Sequence, residues 1–329
     1  MSETILSQYS EMHVSQREFI IKEIQKYKPK KILELGIAAG ANSVLVLKYL
    51  EENGLLDEVR LHSVDFSTFY YRDLNDLNMM KNPRLSGFLV DALVPHLRKY
   101  WNLYTPGLVA KHLNEIGKDI DFVILDTAHS LPGELLDFLM ILPYLSKNAV
   151  ICMDDLMFHV WYNKQGIVCN LLYLLLKGEK TLPCDSFNRP FFQNVGSCML
   201  ADGQLEHINL LTFFKALTIP WVYMPNIDDL ELFKQHILKH YGMKYVEAFE
   251  EIVKIQEKWF RESENQRQEY LKQQIEFSNS LKIKEHLSYK LGQTLIKAYN
   301  NRWGGGLIKM PFELLTVIKN HKNKQGKNR

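Results

Sequence analysis

The feature that most constrains the fold is the segment Lys30–Leu45, which reads KKILELGIAAGANSVL. Its apolar run is typical of a buried strand, and the glycines after it indicate a tight turn into a helix. Three further short strand-like runs, at 60–64, 121–125 and 149–153, are each followed directly by an aspartate, and helical stretches separate them. Short buried strands that alternate with helices predict a doubly wound, mostly parallel α/β sheet.

Composition places the chain in the class of ordinary globular proteins. It has 329 residues, of which 46% are hydrophobic and 24% are charged. No apolar run approaches the roughly 18 residues of a membrane span, and the polar N-terminus is unlike a secretory signal. The four cysteines are far apart and form no CxxC pair, which argues against a zinc site or a disulfide framework. We therefore expect a cytoplasmic protein.

The charge is distributed unevenly along the chain. Segment 282–329 carries 11 Lys and Arg against two Glu, although the net charge of the whole chain is only +2. The basic charge lies in a tail and not in a core that could bind nucleic acid, so we expect no nucleic-acid partner. From residue 228 onward the sequence is helical and rich in Glu, Lys and Gln. The pattern predicts two domains, at residues 1–225 and 226–329.

The glycine spacing after the first strand argues against a dinucleotide site. A GxGxxG fingerprint from Gly36 would need glycine where Ala38 and Ala41 stand. The pattern is instead an acid followed by two glycines, namely Glu34, Gly36 and Gly40. A carboxylate before the turn suits a cationic ligand better than a phosphate. S-adenosylmethionine has this character, with an ammonium, a sulfonium and no phosphate.

Asp65 adds to this interpretation because it follows the second predicted strand. At that position its carboxylate can accept hydrogen bonds from both hydroxyls of a ribose. The alternative is a tight strand–helix turn beside incidental acids, since glycine spacing alone is a weak signal.

The sequence also resembles a known family. The segments ILELGIAAG, VD and DFVILDTAHSLPGELLDFLMILPYLSKNAVICMDDL resemble class I S-adenosylmethionine-dependent methyltransferases, within about residues 30–160. They are most similar to the metal-dependent O-methyltransferases of the catechol and sugar types. The resemblance implies a Rossmann-like methyltransferase fold and six donor-binding residues: Glu34, Gly36, Ala38 (where the family often has a second glycine) and Gly40 at the methionine end, Asp65 at the ribose, and Asp91, after a weak third strand at 87–90, beside the adenine.

Three carboxylates follow the next two predicted strands. Asp126 ends one strand, and Asp154 with Asp155 ends its expected neighbour. Carboxylates that converge at one sheet edge repel each other unless a cation joins them, and oxygen ligands favour Mg²⁺ or a similar divalent ion. In the metal-dependent O-methyltransferases the matching acids bind this ion. The alternative is that Asp154 and Asp155 cap the next helix and face water.

Two histidines are candidates for the general base that removes a proton from the acceptor hydroxyl. His129 lies three residues beyond Asp126, and the resemblance includes a D-x-x-H arrangement of this kind. His159 is the second candidate. A histidine near a strand end is also often a structural hydrogen-bonding residue.

The last segment, from about residue 287, resembles C-terminal stretches of enzymes that build bacterial capsule or lipooligosaccharide. A glycine hinge at 304–306 precedes an apolar helical run, Leu307–Ile318, and then a cluster of lysines. Such a helix can lie in the headgroup region of an anionic membrane, which would place the protein at the inner face of that membrane. The alternative is a helix packed on the protein body with a frayed basic end.

Together these patterns predict an O-methyltransferase that modifies a sugar, or a substituent such as a phosphoramidate, in bacterial surface polysaccharide biosynthesis. The expected substrate is a carbohydrate, nucleotide sugar or glycan, and the helical region could build a homodimer interface. Two alternatives remain, a methyltransferase for a small catechol-like molecule and a non-catalytic scaffold of a glycan-assembly complex.

Overall fold

A computed structural model describes residues 3–10, 12–157, 169–183 and 194–326. The contacts divide the chain into two units, Met1–Glu257 and Lys258–Arg329. The division after residue 225, which the sequence predicts, stays a prediction. Each helix that the structure describes is too short or too polar to cross a membrane.

The first unit is built on a seven-stranded sheet in the order β3-β2-β1-β4-β5-β7-β6. Its strands are β1 (Lys31–Leu35), β2 (Arg60–Val64), β3 (Trp101–Tyr104), β4 (Ile120–Leu125), β5 (Leu145–Met153), β6 (Gly178–Thr181) and β7 (Gly196–Leu200). The first five strands in chain order pair in parallel, and β7 runs antiparallel between β5 and β6. This is the Rossmann-like methyltransferase fold, which confirms the predicted fold class.

Helices flank this sheet. They are α1 (Glu3–Tyr9), α2 (Val14–Tyr27), α3 (Ala41–Glu52), α4 (Tyr71–Leu74), α5 (Phe88–Leu93), α6 (Leu113–Ile116), α7 (Gly133–Ile141), α8 (Cys169–Leu175), α9 (His207–Ala216) and α10 (Ile227–Tyr241). Every residue of α7 is buried, because this helix packs in the core. The strand predicted at 87–90 is wrong, since these residues enter α5 and the third strand is β3.

The sheet also determines where a ligand can bind. The chain passes from β1 outward to β2 and β3 and then returns to the other side of β1 as β4. In open sheets of this kind the crevice for ligands lies at the carboxyl ends of the strands where the order reverses. The point of reversal lies between β1 and β4, so the turns after Leu35 and Leu125 must line that crevice.

The C-terminal part of the chain is helical, as predicted. It comprises α11 (Met243–Glu285), α12 (Leu287–Asn300) and α13 (Gly306–Gly326). Within the second unit α12 packs against α13, and a Cβ added at Gly306 would lie 2.5 Å from the carbonyl oxygen of Ala298. Trp303, Ile308 and Phe312 expose 92%, 79% and 73% of their surface.

Candidate functional site

A cavity of about 1000 Å³ lies at the carboxyl ends of the parallel strands. The turns after β1, β2, β4 and β5 line it, and so do Gly107–Val109, α7 and the segment that leads into α10. The volume is at the upper end of the range for a ligand pocket, which leaves room for more than one small molecule. The cavity therefore coincides with the crevice that the strand order requires.

Gly36 joins the turn after β1 to the end of β4. It has a φ of +83°, and its N–H donates a 3.0 Å hydrogen bond to the carbonyl oxygen of Val64. A Cβ at this position would lie only 1.7 Å from the carbonyl oxygen of Asp126. Only glycine can occupy such a position. Gly36 thus explains how the two turns on either side of the strand reversal come into direct contact.

Asp65 lies where the sequence predicts it, on the cavity wall after β2. Its Oδ2 accepts hydrogen bonds of 3.0 Å from the N–H groups of Ile37 and Ala38, and its Oδ1 accepts one of 2.9 Å from Ser67. Ala38 has a φ of +49° and also lines the cavity. Each carboxylate oxygen has two acceptor sites, so the two on Oδ2 are occupied and one on Oδ1 remains for a hydroxyl of a ligand.

Glu34 does not line the cavity but is buried behind the turn, 1% exposed. Its Oε2 accepts hydrogen bonds from the hydroxyls of Ser43 and Ser63, at 2.5 and 2.6 Å. Its Oε1 has no partner among the described residues. Burial raises the pKa of Glu34 to about 7, and the two serine hydroxyls oppose this shift. Glu34 therefore joins β1, β2 and α3 beneath the site.

Gly40 is also absent from the cavity wall. It has a φ of +90°, and a Cβ there would lie 2.9 Å from the Cα of Gly87. The second glycine of the turn therefore lets α3 approach α5. Asp91 lies on α5 with an exposed side chain, 3.6 Å from Arg98. The structure does not bring Asp91 to the cavity, because the strand end on which that prediction rested is a helix.

Asp126, His129 and Asp155 come together at the ends of β4 and β5. His129 Nε2 lies 3.3 Å from Asp155 Oδ2 and 3.6 Å from Asp126 Oδ1. One ligand atom from each of the three residues lies within 4.8 Å of the others, close enough to hold a metal ion. Asn194 donates a 2.8 Å hydrogen bond to the other oxygen of Asp155. We call these three residues the acid–histidine cluster.

The backbone of the cluster is held in an uncommon conformation. His129 and Asp155 have φ values of +52° and +58°. Asp and His tolerate this left-handed region better than most residues, but such positions still store strain and concentrate at functional sites. Two of the three members of the cluster therefore lie on strained backbone at the cavity wall.

Asp154 lies outside the cluster. It is 3% exposed, and its Oδ1 accepts a 2.6 Å hydrogen bond from Gln16 on α2. Burial raises the pKa of Asp154 well above its usual range, and the charges of Asp126 and Asp155 add to this effect. In the acid–histidine cluster, His129 therefore occupies the place that the sequence assigned to Asp154. His159 lies outside the described residues.

A further polar wall of the cavity is not predicted by the sequence analysis. Asp137 on α7 and Tyr223, Asn226 and Asp229 near the start of α10 line the same cavity. Asp137 is 8% exposed and lies in the middle of an otherwise apolar helix, GELLDFLMI, in which Glu134 of the first turn is the other acid. This contrast could have indicated Asp137 as a functional residue, because charged side chains are rarely buried without a partner.

Comparisons with known proteins identify the domain. Residues 33–156, less than half of the chain, match the family described as "Methyltransferase domain", and this match confirms the predicted enzyme class. Residues 233–323 match a family described as "Domain of unknown function (DUF8374)", which leaves the predicted resemblance to capsule enzymes without support. A search of curated proteins found no match.

Solved structures with a similar fold include three O-methyltransferases. One is a putative caffeoyl-CoA O-methyltransferase from Staphylococcus aureus, with 14% identity, a TM-score of 0.41 and coverage of 60% of this chain and 88% of that one. TomG from Streptomyces achromogenes, solved in complex with SAM, has 13% identity, a TM-score of 0.43 and coverage of 62% and 92%. An O-methyltransferase from Bacillus cereus, in complex with SAH, has 11% identity, a TM-score of 0.39 and coverage of 60% of this chain and 92% of that one. Similarity this distant carries no argument about substrate or mechanism.

Proposed function

We propose that this chain is a divalent-metal-assisted O-methyltransferase that uses S-adenosylmethionine and acts on a sugar hydroxyl. The observation that carries the proposal is that one cavity contains both the glycine turn with Asp65 and the acid–histidine cluster. A methyl donor and a divalent ion could therefore bind side by side.

The donor fits the half of the cavity around Asp65. Gly36 and Ala38 form a wall without large side chains, and Oδ1 of Asp65 beside them can accept a hydrogen bond from a ribose hydroxyl. The nearby carboxylates favour a ligand with an ammonium and a sulfonium over one with phosphates. The protein contributes to the reaction by aligning the acceptor oxygen, the methyl carbon and the sulfur for in-line displacement.

The acid–histidine cluster has a suitable set of donors for a divalent ion. Asp126 and Asp155 supply carboxylate oxygens and His129 supplies an imidazole nitrogen. Carboxylates suit Mg²⁺ and Mn²⁺, and the nitrogen ligand favours Mn²⁺ and later transition metals over Mg²⁺. When bound, such an ion would lower the pKa of a coordinated hydroxyl and so make the acceptor oxygen a better nucleophile.

His129 can act either as a ligand or as the base. Nε2 can bind a metal ion or accept a proton from the acceptor hydroxyl, but it cannot do both at once. Asp155 holds the imidazole with Nε2 directed at the carboxylates, which orients the ring for either role. We favour the base, with Asp126 and Asp155 as the principal ligands, because a sugar alcohol is a weak acid and its proton must be removed.

A test of this proposal measures donor and metal binding separately. Calorimetry with S-adenosylhomocysteine should show binding in EDTA that Asp65→Asn weakens at least tenfold. Mn²⁺ binding, followed by electron paramagnetic resonance, should fall at least tenfold in Asp126→Asn. For His129→Ala, retained Mn²⁺ affinity with lost methyl transfer supports the base, and lost affinity supports the ligand. A protein that binds neither SAH nor Mn²⁺ would instead support the scaffold alternative.

We also propose that the second unit contacts an anionic membrane surface. Ile308 and Phe312 on α13 are exposed, with Lys309 between them, and Lys319 follows on the same helix. Exposed apolar side chains next to lysines are suited to anionic headgroups. Sedimentation with vesicles of phosphatidylglycerol and phosphatidylcholine should show binding that salt and Phe312→Ser reduce. Equal sedimentation with pure phosphatidylcholine would contradict it.

A further inference from the structure

The polar wall formed by Asp137 and Tyr223 has no role in the chemistry described above. Tyr223 follows a segment that is firmly anchored, because the N–H of Val222 donates a 2.9 Å hydrogen bond to the carbonyl oxygen of Leu131. The preceding residue, Trp221, is buried, and its N–H donates to the Gln256 side chain at 3.0 Å. These contacts place the Tyr223 ring at a defined position on the cavity wall.

The chain also makes space for the Tyr223 hydroxyl. A Cβ at Gly133, the first residue of α7, would lie 2.5 Å from the Tyr223 hydroxyl oxygen and 2.6 Å from the Cβ of Ala128. The structure gives this hydroxyl no hydrogen-bond partner among the described residues, although it lines an open cavity. A phenolic hydroxyl in such a place is available to donate to, and accept from, a ligand.

Asp137 is the second group on this wall. It is more than nine-tenths buried, and the residues around it on α7 are apolar or, like Glu134, acidic. Burial raises its pKa to about 7, and the Thr127 side chain opposes this shift only in part. A carboxyl group that is buried without a cation is costly to retain, unless something else binds it.

The charges around the cavity narrow the class of ligand. Five carboxylates line it, from Asp65, Asp126, Asp137, Asp155 and Asp229, and no Lys or Arg lines it among the residues that the structure describes. Lys111 lies just outside this wall, 3.6 Å from Asp229, and so offsets that one charge. Even a divalent ion at the acid–histidine cluster would leave the remaining wall acidic. An anionic group in this part of the cavity would be repelled.

We infer that Asp137 and Tyr223 form the recognition site for the acceptor, and that this site takes a group that donates hydrogen bonds, a hydroxyl or a protonated amine, and rejects phosphorylated groups. The inference rests on the proposed function, because it assumes that the same cavity holds the methyl donor. It favours an uncharged or amino sugar over the phosphoramidate and nucleotide-sugar acceptors that the sequence left open. Asp137 and Tyr223 are specificity residues that touch the acceptor and take no part in proton transfer.

The test uses probes whose identity is known. The full-length protein, saturated with SAH and Mn²⁺, is screened by ligand-observed NMR against a few hundred fragments grouped into amines, neutral polyols, carboxylates and phosphates. Amines and polyols should dominate the hits. Asp137→Asn keeps the shape but removes the charge, and should weaken the amine hits at least tenfold. Tyr223→Phe should weaken both groups about three- to tenfold, as expected for the loss of one hydrogen bond.

Matched controls separate this inference from the proposed function. Asp228→Asn removes an exposed acid next to Asp229 on α10 and should leave every fragment affinity unchanged. SAH affinity should be unchanged in all three variants. If the unaltered protein does not bind SAH, the proposed function itself is wrong. Three outcomes would overturn the inference alone while SAH still binds. They are phosphate fragments that bind as well as amines and polyols, an absence of any fragment hits, and hits whose affinity neither Asp137→Asn nor Tyr223→Phe changes.

Discussion

Replacing Glu34 by glutamine tests how much the ionisation of this buried carboxyl group destabilises the fold. Glu34 is buried behind the cavity, and its Oε2 accepts hydrogen bonds from Ser43 and Ser63. The amide oxygen of glutamine can accept the same two bonds, and the amide is neutral at every pH. Glu34→Gln therefore imitates the protonated acid and removes only the cost of ionising it within the fold.

The size of the effect follows from the raised pKa of Glu34. Because the folded-state pKa exceeds the unfolded-state value, the contribution of Glu34 to stability is complete at low pH and is lost as the pH rises from about 4.5 through about 7. With these two values, ionisation costs the folded protein about 2 kcal/mol at pH 6 and about 3 kcal/mol at pH 8. The free energy of unfolding of the variant should exceed that of the unaltered protein by an amount that grows with pH.

The assay is urea denaturation at pH 5, 6, 7 and 8, in EDTA and without donor, so that no ligand changes the charge of the neighbouring acids. Between pH 5 and pH 8 the difference in unfolding free energy should increase by about 2 to 3 kcal/mol in favour of Glu34→Gln. Glu52→Gln, at an exposed position of the same helix α3, is the control and should show no such increase. Parallel stability curves for Glu34→Gln and the unaltered protein would refute the reasoning, because they would mean that Glu34 ionises as easily inside as outside.

Three further predictions concern the cavity. Gly36→Ala should lower the free energy of unfolding by more than about 4 kcal/mol, because the added Cβ clashes with Asp126. Gly54→Ala is the control, since the space around its Cβ is open, and should cost only about 1 kcal/mol for its positive φ. Equal shifts of the two denaturation midpoints would contradict this. Asp126→Asn should weaken Mn²⁺ binding at least tenfold but leave SAH affinity within about twofold, as measured by calorimetry, and an equal loss of both would speak against separate sites. Gly133→Ala should displace the Tyr223 ring and weaken amine fragments without affecting SAH, and unchanged fragment affinities would mean that the hydroxyl of Tyr223 does not bind them.

Much of the sheet follows from the sequence because its strands are short, apolar and buried on both faces. β2 lies at the predicted residues 60–64, and β4 begins one residue before the predicted run at 121–125. The segment predicted as a strand at 87–90 failed for a physical reason. Gly87 has a φ of +76° and packs against Trp101, and this conformation starts α5 and not a strand.

The sequence predicts that acids meet at the ends of β4 and β5, but it does not determine which of them form the cluster. The sequence places Asp154 and Asp155 at the same strand end, and only the backbone decides which of them faces the cavity. Asp155 adopts a φ of +58° and lies beside His129, whereas Asp154 binds Gln16, which is 138 positions earlier in the chain. A contact between residues so far apart in sequence leaves no local pattern.

The proximity of Asp137 and Tyr223 could not be predicted from the sequence either. Asp137 stands out in the sequence as an acid within an apolar helix, but Tyr223 lies in a segment with no periodic pattern. Their meeting depends on Gly133 and on the hydrogen bond from Val222 to Leu131, both of which are tertiary features. The recognition of an acceptor is therefore visible only when the fold has brought α7 and the start of α10 together.

The most direct test of a shared cavity for donor and metal is a crystal structure of the protein with SAH and Mn²⁺, with the manganese located by its anomalous signal. We expect a manganese peak bound by Asp126 and Asp155 and within reach of His129, with the ribose of SAH bound to Asp65 in the same cavity. A peak held elsewhere, or SAH bound outside this cavity, would contradict it.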